Sequence, residues 1–503
     1  MHWIGIAERF NIIFGLALRL LSELELSDLS AIPSHLVSKV QDLNEYNPQI
    51  INKYSNLKKL KMECKLGHVG QFKNFTGTNV LYSTRVVGDF DDSDDSPNKF
   101  TTQESLSDIL FNNNTFTNLN VNHVTISSIL RNTTTINSNL RNVTLYYVEI
   151  HPDTLFHLFE NSPNLTKLLL NNIVLTPLLP FNMVLESLPK LKSLQNLYIE
   201  VGYENYVSFQ SIVTMLNTIT VSEITIKFIK ILYESVDHVF SSEITNTSIK
   251  NLKVTTANFH PYHQELNHFK FLQIWKDKSH IETFKSGKPT FDITHYLDDM
   301  VALKSLIFDE YSIETRDHYF AKLVQSASKI TSLSLIKNSI HYHSNVYNPV
   351  DILQNHSLTS LSLCSVSVSN AISILDCKHP TITTLSLHIT VDDILITDLI
   401  PVIQSNTTLT SLELIFAMPL IPNEYDRFDF LTKILKVNRT LESIKLPQLG
   451  KFKMSVIQEF KEILFNNRTI KRIHFPFFYQ TDTMELLELF NRYFIVTKYF
   501  ENK

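Results

Sequence analysis

The chain has 503 residues, beyond the roughly 250–300 residues at which a single core stops growing, so it needs several domains or an array of repeats. Forty-five Lys and Arg against 50 Asp and Glu give a net charge of −5, which excludes the strong basic field of non-specific nucleic-acid binding, while a hydrophobic share of 43% excludes global disorder. Through its 9 glycines no G-x-G-x-x-G, no G-x-x-x-x-G-K-[ST] and no G-x-S-x-G can be drawn, so phosphate-cradling loops and the nucleophile elbow are absent from the sequence.

The segment Met1–Leu26 is apolar but interrupted by Glu8, Arg9 and Arg19, and no small-x-small cleavage site follows. Its uninterrupted run from Asn11 to Leu18 is well short of the ~20 apolar residues of a membrane span, so it reads as an amphipathic helix packed on the next element. Residues 1–56, broken near Pro33 and Pro48, are expected to form a helical N-terminal cap. Residues 57–118 read as degenerate first repeats, with a first strand at Asn56-Leu-Lys-Lys-Leu-Lys-Met62 and little pattern from Gly67 to Thr115. Within them, 89–97 is an acidic run, Asp89-Phe-Asp-Asp-Ser-Asp-Asp-Ser-Pro97. An EF-hand loop places Gly sixth and Glu twelfth. Here those positions are Asp94 and Phe100, so the run reads as a solvated loop.

From 119 to 475 one pattern recurs, L-x-x-L-x-L with aliphatic or Phe substitutions. Its middle residue falls at Leu168, Leu197, Leu252, Leu306, Leu333, Leu361, Leu385, Leu412, Ile444 and Ile473, with weaker copies at Val143 and Ile224. The spacing is about 27 residues, except for one step of 54 between Leu252 and Leu306 that reads as a degenerate copy. L-x-L buries one face of a short strand. Helical spacing follows between strands, as in Leu155, Leu158 and Phe159, or Leu431, Ile434 and Leu435. One strand and one helix cannot bury both apolar faces alone, but stacked copies can. Inside the long step, an irregular insertion at about 258–290 carries His260, His263, Glu265 and His268 with Tyr262, Phe269, Phe271 and Trp275. Pro261 and the lack of a cysteine partner argue against zinc, and the insertion reads as an exposed contact surface. Residues 476–503, with Met484, Leu487, Phe490 and Phe494 at helical spacing, are expected to be a helical C-terminal cap.

These repeats resemble leucine-rich repeats of the long, ribonuclease-inhibitor-like type. The resemblance spans Asn139–Phe475, about two-thirds of the chain, and rests on L-x-x-L-x-L together with the Asn-x-Thr-Leu junctions at Asn406–Leu409, Asn438–Leu441 and, in variant form, Asn467–Ile470. It implies an α/β leucine-rich-repeat solenoid, a curved parallel sheet inside with helices outside and helical caps. The Asn expected a few residues after L-x-L is irregular, with Asn171 and Asn338 as candidates.

Ten Asn-x-Ser/Thr triplets would accept glycans in a secreted protein. Several fall at one place in the repeat, including Asn164, Asn406, Asn438 and Asn467, where asparagine tolerates left-handed backbone and bonds nearby amides. Cys64, Cys364 and Cys377 make no C-x-x-C pair and read as buried or half-buried thiols of a reducing compartment. Residues flanking each anchor project from the open face of the sheet. Its middle is a ladder of hydroxyls, including Ser332, Ser334, Ser360 and Ser362, while the side chains suited to a partner are Tyr198, Glu200, Lys227, Lys253, Glu413, Lys445, Arg472 and His474. No catalytic, cofactor-binding or metal-ligating constellation recurs at a spacing that stacking would bring together. The expectation is a non-catalytic protein–protein interaction scaffold in the cytoplasm that binds another protein, with no nucleic acid and no membrane span. Two alternatives stand beside it: a substrate receptor of a ubiquitin ligase, though 1–56 holds no clear F-box-like segment, and a secreted, glycosylated recognition protein.

Overall fold

The computed structural model describes residues 42–44, 59–63, 79–83, 117–126, 138–176, 180–202, 207–228, 231–232, 242–256, 269–286, 293–308, 317–326, 329–336, 347–390, 396–416, 427–446, 454–475 and 496–499. The chain divides into two compact units, one formed mainly by Met1–Lys250 and one mainly by Asp277–Lys503 together with Asn251–Thr255. Both are stacks of α/β repeats whose strands are parallel.

In the first unit the anchor of each strand lies beside the anchor of the next. Leu43 pairs with Leu60, Leu60 with Val80, Val80 with Leu119 and Leu119 with Val143. The series continues through Leu168, Leu197 and Ile224. A parallel neighbour requires a crossover connection, and a helix supplies several of them. Pro152–Asn161 starts where His151 Nδ1 accepts from the Asp153 amide and Pro152 takes the first turn, whose free amides need no partner from it. Its Leu155, Leu158 and Phe159 are buried at the spacing read from the sequence. Phe209–Thr218 is capped in the same way by the Ser208 hydroxyl, which accepts from the Ser211 amide.

Two features of this unit correct the sequence reading. Asp42–Asn44 is a strand inside the segment expected to be a helical cap. A three-residue strand takes its backbone hydrogen bonds from a neighbour, and no local periodicity reports that. The rest of 1–56 lies outside the described residues, as do the acidic run 89–97 and His260, His263, Glu265 and His268. Trp275, expected on an exposed insertion, is 1% exposed. It bridges in parallel to Ile244, and its indole N–H donates to the Asn246 carbonyl at 3.1 Å.

In the second unit the register runs from Leu252 to Phe284, Leu306, Leu333, Leu361, Leu385, Leu412, Ile444 and Ile473. Phe284 is the copy hidden in the double-length step. The strand Thr283–Ser286 therefore lies inside the stretch read as an irregular insertion. Its signature was masked because Ser286 stands where the last aliphatic belongs. The anchors Phe284, Leu306, Leu333, Leu361, Ile444 and Ile473 are fully buried, and strand after strand alternates half-buried and buried residues. Val496–Tyr499 adds a further parallel strand beside Arg472–Phe475, where a helical C-terminal cap was expected; the remaining residues beyond Phe475 lie outside those described.

Five of the Asn-x-Ser/Thr asparagines form a second ladder, but Asn164, expected at the same place, does not: it is half-buried and its side-chain amide donates to the Ser138 carbonyl. Asn355, Asn406, Asn438 and Asn467 are 2–4% exposed. Each side-chain amide donates to carbonyls of the preceding repeat: Asn438 to Ile403 and Asn406, Asn467 to Leu435 and Asn438. Each side-chain oxygen accepts from the amides two and three residues on, Thr408 and Leu409 for Asn406, Thr440 and Leu441 for Asn438. Asn246 repeats the arrangement in the first unit, bonding the carbonyls of Leu216 and Ile219. The backbone at Asn406 is extended, with φ −77° and ψ 121°, so it is the side-chain hydrogen bonds, and not a left-handed conformation, that select asparagine there. Left-handed backbone instead occurs at Tyr147, Asn172 and Ser365, each four residues after an anchor, and at Lys378 just before His379; at Tyr147 and Ser365 the strand continues beyond it.

Candidate interaction face

On the open side of the first unit, one row of the sheet reads Tyr146, Asn171, Glu200, Lys227 across successive strands. Glu200 is the centre of this row and is 7% exposed. Its carboxylate accepts from the Tyr198 hydroxyl at 2.5 Å, from the Asn171 amide at 3.0 Å and from the Lys227 ammonium at 2.5 Å. A buried carboxylate is stable only when paired and hydrogen-bonded in this way. Burial, then the hydrogen bond to Glu200 and its charge, push the Tyr198 phenol well above its ordinary pKa, so it stays a donor. Tyr198, Glu200 and Lys227 are thus brought together, and Glu200 is an internal brace and not an exposed contact.

Sequence reasoning missed what is exposed beside this brace. Tyr146 and Tyr147 are 36% and 47% exposed, and their rings meet edge to face at 4.6 Å. Consecutive residues of a strand point to opposite faces. The left-handed backbone at Tyr147, φ 51°, breaks that alternation and leaves both rings in solvent. Burial and the neighbouring Tyr147 raise the Tyr146 pKa. The readable signal was two adjacent aromatics within one strand.

In the second unit the rows flanking the anchors are mostly hydroxyls in their middle. One runs Ser305, Ser332, Ser360, Thr384, Ser411, Ser443, Arg472, and the other Ile307, Ser334, Ser362, Ser386, Glu413, Lys445, His474. All are half-buried except Arg472, which is exposed. Charge gathers toward the late strands, where Lys445 forms an ion pair with Glu413 and the Ser386 hydroxyl donates to the same carboxylate at 2.9 Å. His388 lies two residues beyond Ser386 on the same strand, and burial lowers its pKa against the opposing pull of Glu413. Lys253 stands apart from this group, beside Lys285 in the first strands of the unit.

These side chains offer hydroxyl, carboxylate and ammonium groups that can bind polar partners. The Ser386 hydroxyl addresses the carboxylate itself, which Lys445 also engages, so the nucleophile–base–orienter sequence of covalent catalysis is missing at this cluster. Among the described residues no group of His, Cys, Asp or Glu is arranged to hold a metal ion, and no helix is long and apolar enough to cross a membrane. Cys364 is buried and Cys377 half-buried, both as free thiols; Cys64 lies outside the described residues.

The class that this fold defines is an α/β repeat solenoid, parallel strands alternating with helices. No protein family matches the chain, and no curated protein matches it. Among solved structures it is similar to a structural-genomics protein from Bacteroides fragilis at 12% identity, over 50% of this chain and 73% of that one, with a TM-score of 0.34. A likeness so slight carries no argument.

Proposed function

We propose that the chain is a non-catalytic scaffold of the leucine-rich-repeat, ribonuclease-inhibitor-like type, and that it binds another protein through the open face and edge of its sheets. The observation that carries this reading is the exposed pair Tyr146 and Tyr147 beside the Tyr198–Glu200–Lys227 brace. Tyrosine anchors held by a rigid support are the usual source of interface energy, and a preorganised support lowers the cost of binding. The hydroxyl rows and the Glu413–Lys445 pair of the second unit offer a polar surface of the kind found at interface rims.

The secreted, glycosylated alternative is weakened by the asparagine ladder. The amide nitrogens of Asn355, Asn406, Asn438 and Asn467, the atoms a glycan would modify, are buried and committed to backbone carbonyls. A cytoplasmic protein fits better. No observation favours the ubiquitin-ligase receptor over a scaffold in general.

The test is capture of partners from native cells by the full chain and by variants. Tyr146→Ala with Tyr147→Ala should reduce the dominant partner at least tenfold. Val301→Arg and Val437→Arg, exposed residues away from the strands, should leave capture unchanged. Equal capture by all four proteins overturns the reading.

A further inference from the structure

Between Asn355 and Asn467 the ladder of buried asparagines has one substituted rung. In the repeat between Asn355 and Asn406 the place is taken by His379, in His379-Pro-Thr381-Ile382, aligned with Asn406-Thr-Thr408-Leu409. His379 is 5% exposed and copies the asparagine bond for bond. Its Nε2 lies 3.1 Å from the Ile352 carbonyl and 2.9 Å from the Asn355 carbonyl, the contacts an asparagine amide would make to the preceding repeat. Its Nδ1 accepts from the Thr381 amide at 3.2 Å and the Ile382 amide at 3.3 Å. Carbonyls only accept and backbone amides only donate, so this network assigns the proton to Nε2 and requires a bare Nδ1.

Asparagine has no titration that breaks such a rung; histidine does. A second proton on Nδ1 would face two amide donors and cancel both hydrogen bonds, one at the part-buried Thr381 amide and one at the buried Ile382 amide; the Thr381 hydroxyl, 3.3 Å from Nδ1, is engaged with the Leu358 carbonyl. We propose that His379 makes this junction between repeats open in mild acid, a sensitivity that the asparagine rungs on either side do not share.

The surroundings agree in sign. Burial is the largest cause depressing the imidazole pKa, opposed by the two carbonyls and reinforced by His356. The Cys377 thiol, whose pKa burial raises, is hydrogen-bonded to the backbone of His379. Asp351, on the preceding helix, is half-buried, whereas Asp376 and Lys378, flanking it in sequence, are exposed; none of the three is among the causes of the shift. The unfolded imidazole titrates near 6.5. With the folded value below that, the native protein binds fewer protons. Stability from this rung is therefore complete above about pH 6.5 and is lost as the pH falls through the folded value.

The experiment compares the full chain with His379→Asn in chemical denaturation at pH 7.5 and pH 5.5. The midpoint of the wild type should fall more than that of the variant. His280 and His388, whose pKa values burial also lowers, are present in both and cancel in the difference. Parallel losses overturn the proposal. If the variant fails to fold, hydrogen exchange of the wild type decides. Protection at Thr381 and Ile382 should fall by up to about tenfold per pH unit below 6.5, relative to Thr408 and Leu409 at the asparagine rung. Equal change at both pairs refutes it.

Discussion

Asn438→Ala tests the ladder where its hydrogen bonds are most complete. The residue is 2% exposed. Its amide donates to Ile403 and Asn406 at 2.9 and 3.0 Å, and its oxygen accepts from the amides of Thr440 and Leu441, both at 2.9 Å. Truncation leaves two carbonyls and two amides without their partner. At about 1 kcal/mol for each net hydrogen bond, and more where a buried group finds no substitute, the loss is about 4 kcal/mol. The control is Asn466→Ala, one residue before the next rung, where the side chain is exposed and bonds only the Glu462 carbonyl of its own helix. Surface changes of that kind stay within roughly 0.5 kcal/mol. The assay is equilibrium urea denaturation followed by far-ultraviolet circular dichroism. The slope is compared between variants, because a repeat array with weakened neighbours can lose its cooperativity. Equal midpoints for the two variants would show that these asparagines do not hold one repeat to the next.

Leu361→Ala or Leu412→Ala, each no more than 1% exposed, should cost ~2–5 kcal/mol as core truncations, whereas half-buried Ser362→Ala on the other face should stay within roughly 0.5 kcal/mol; equal losses in denaturation would mean the strand faces are reversed. Ser286→Ala should stabilise the protein by about 1 kcal/mol, because the Ser286 hydroxyl is fully buried with no partner among the described residues; a lower melting temperature would refute this. Glu200→Gln should bring the ionisation of Tyr198 to lower pH, since the negative acceptor beside the phenol is removed while its burial remains; an unchanged tyrosinate difference titration against the wild type would contradict the hydrogen-bonded brace. Peptide mapping of protein from its native cells should find Asn355, Asn406, Asn438 and Asn467 unmodified, and a glycan on any of them would contradict the buried ladder.

What the amino-acid order determined by itself is the repeat. L-x-x-L-x-L records burial directly, because an anchor side chain must be apolar whatever strand lies beside it, and the register from Val143 to Ile473 follows that pattern. The helices were legible for the same reason, their buried residues recurring at the helical period. Tertiary structure alone decided the elements whose identity depends on a neighbour. Asp42–Asn44 and Val496–Tyr499 are strands because an adjacent strand offers its amides and carbonyls. Thr283–Ser286 joins the sheet although a serine stands in for its last aliphatic, since Phe284 lies in register between Leu252 and Leu306. The buried state of Glu200, the outward turn of Tyr146 and Tyr147 and the equivalence of His379 to an asparagine also escaped the sequence. Each depends on which donors and acceptors stacking brings within about 3 Å of one another, and the spacing of letters along one chain does not record that.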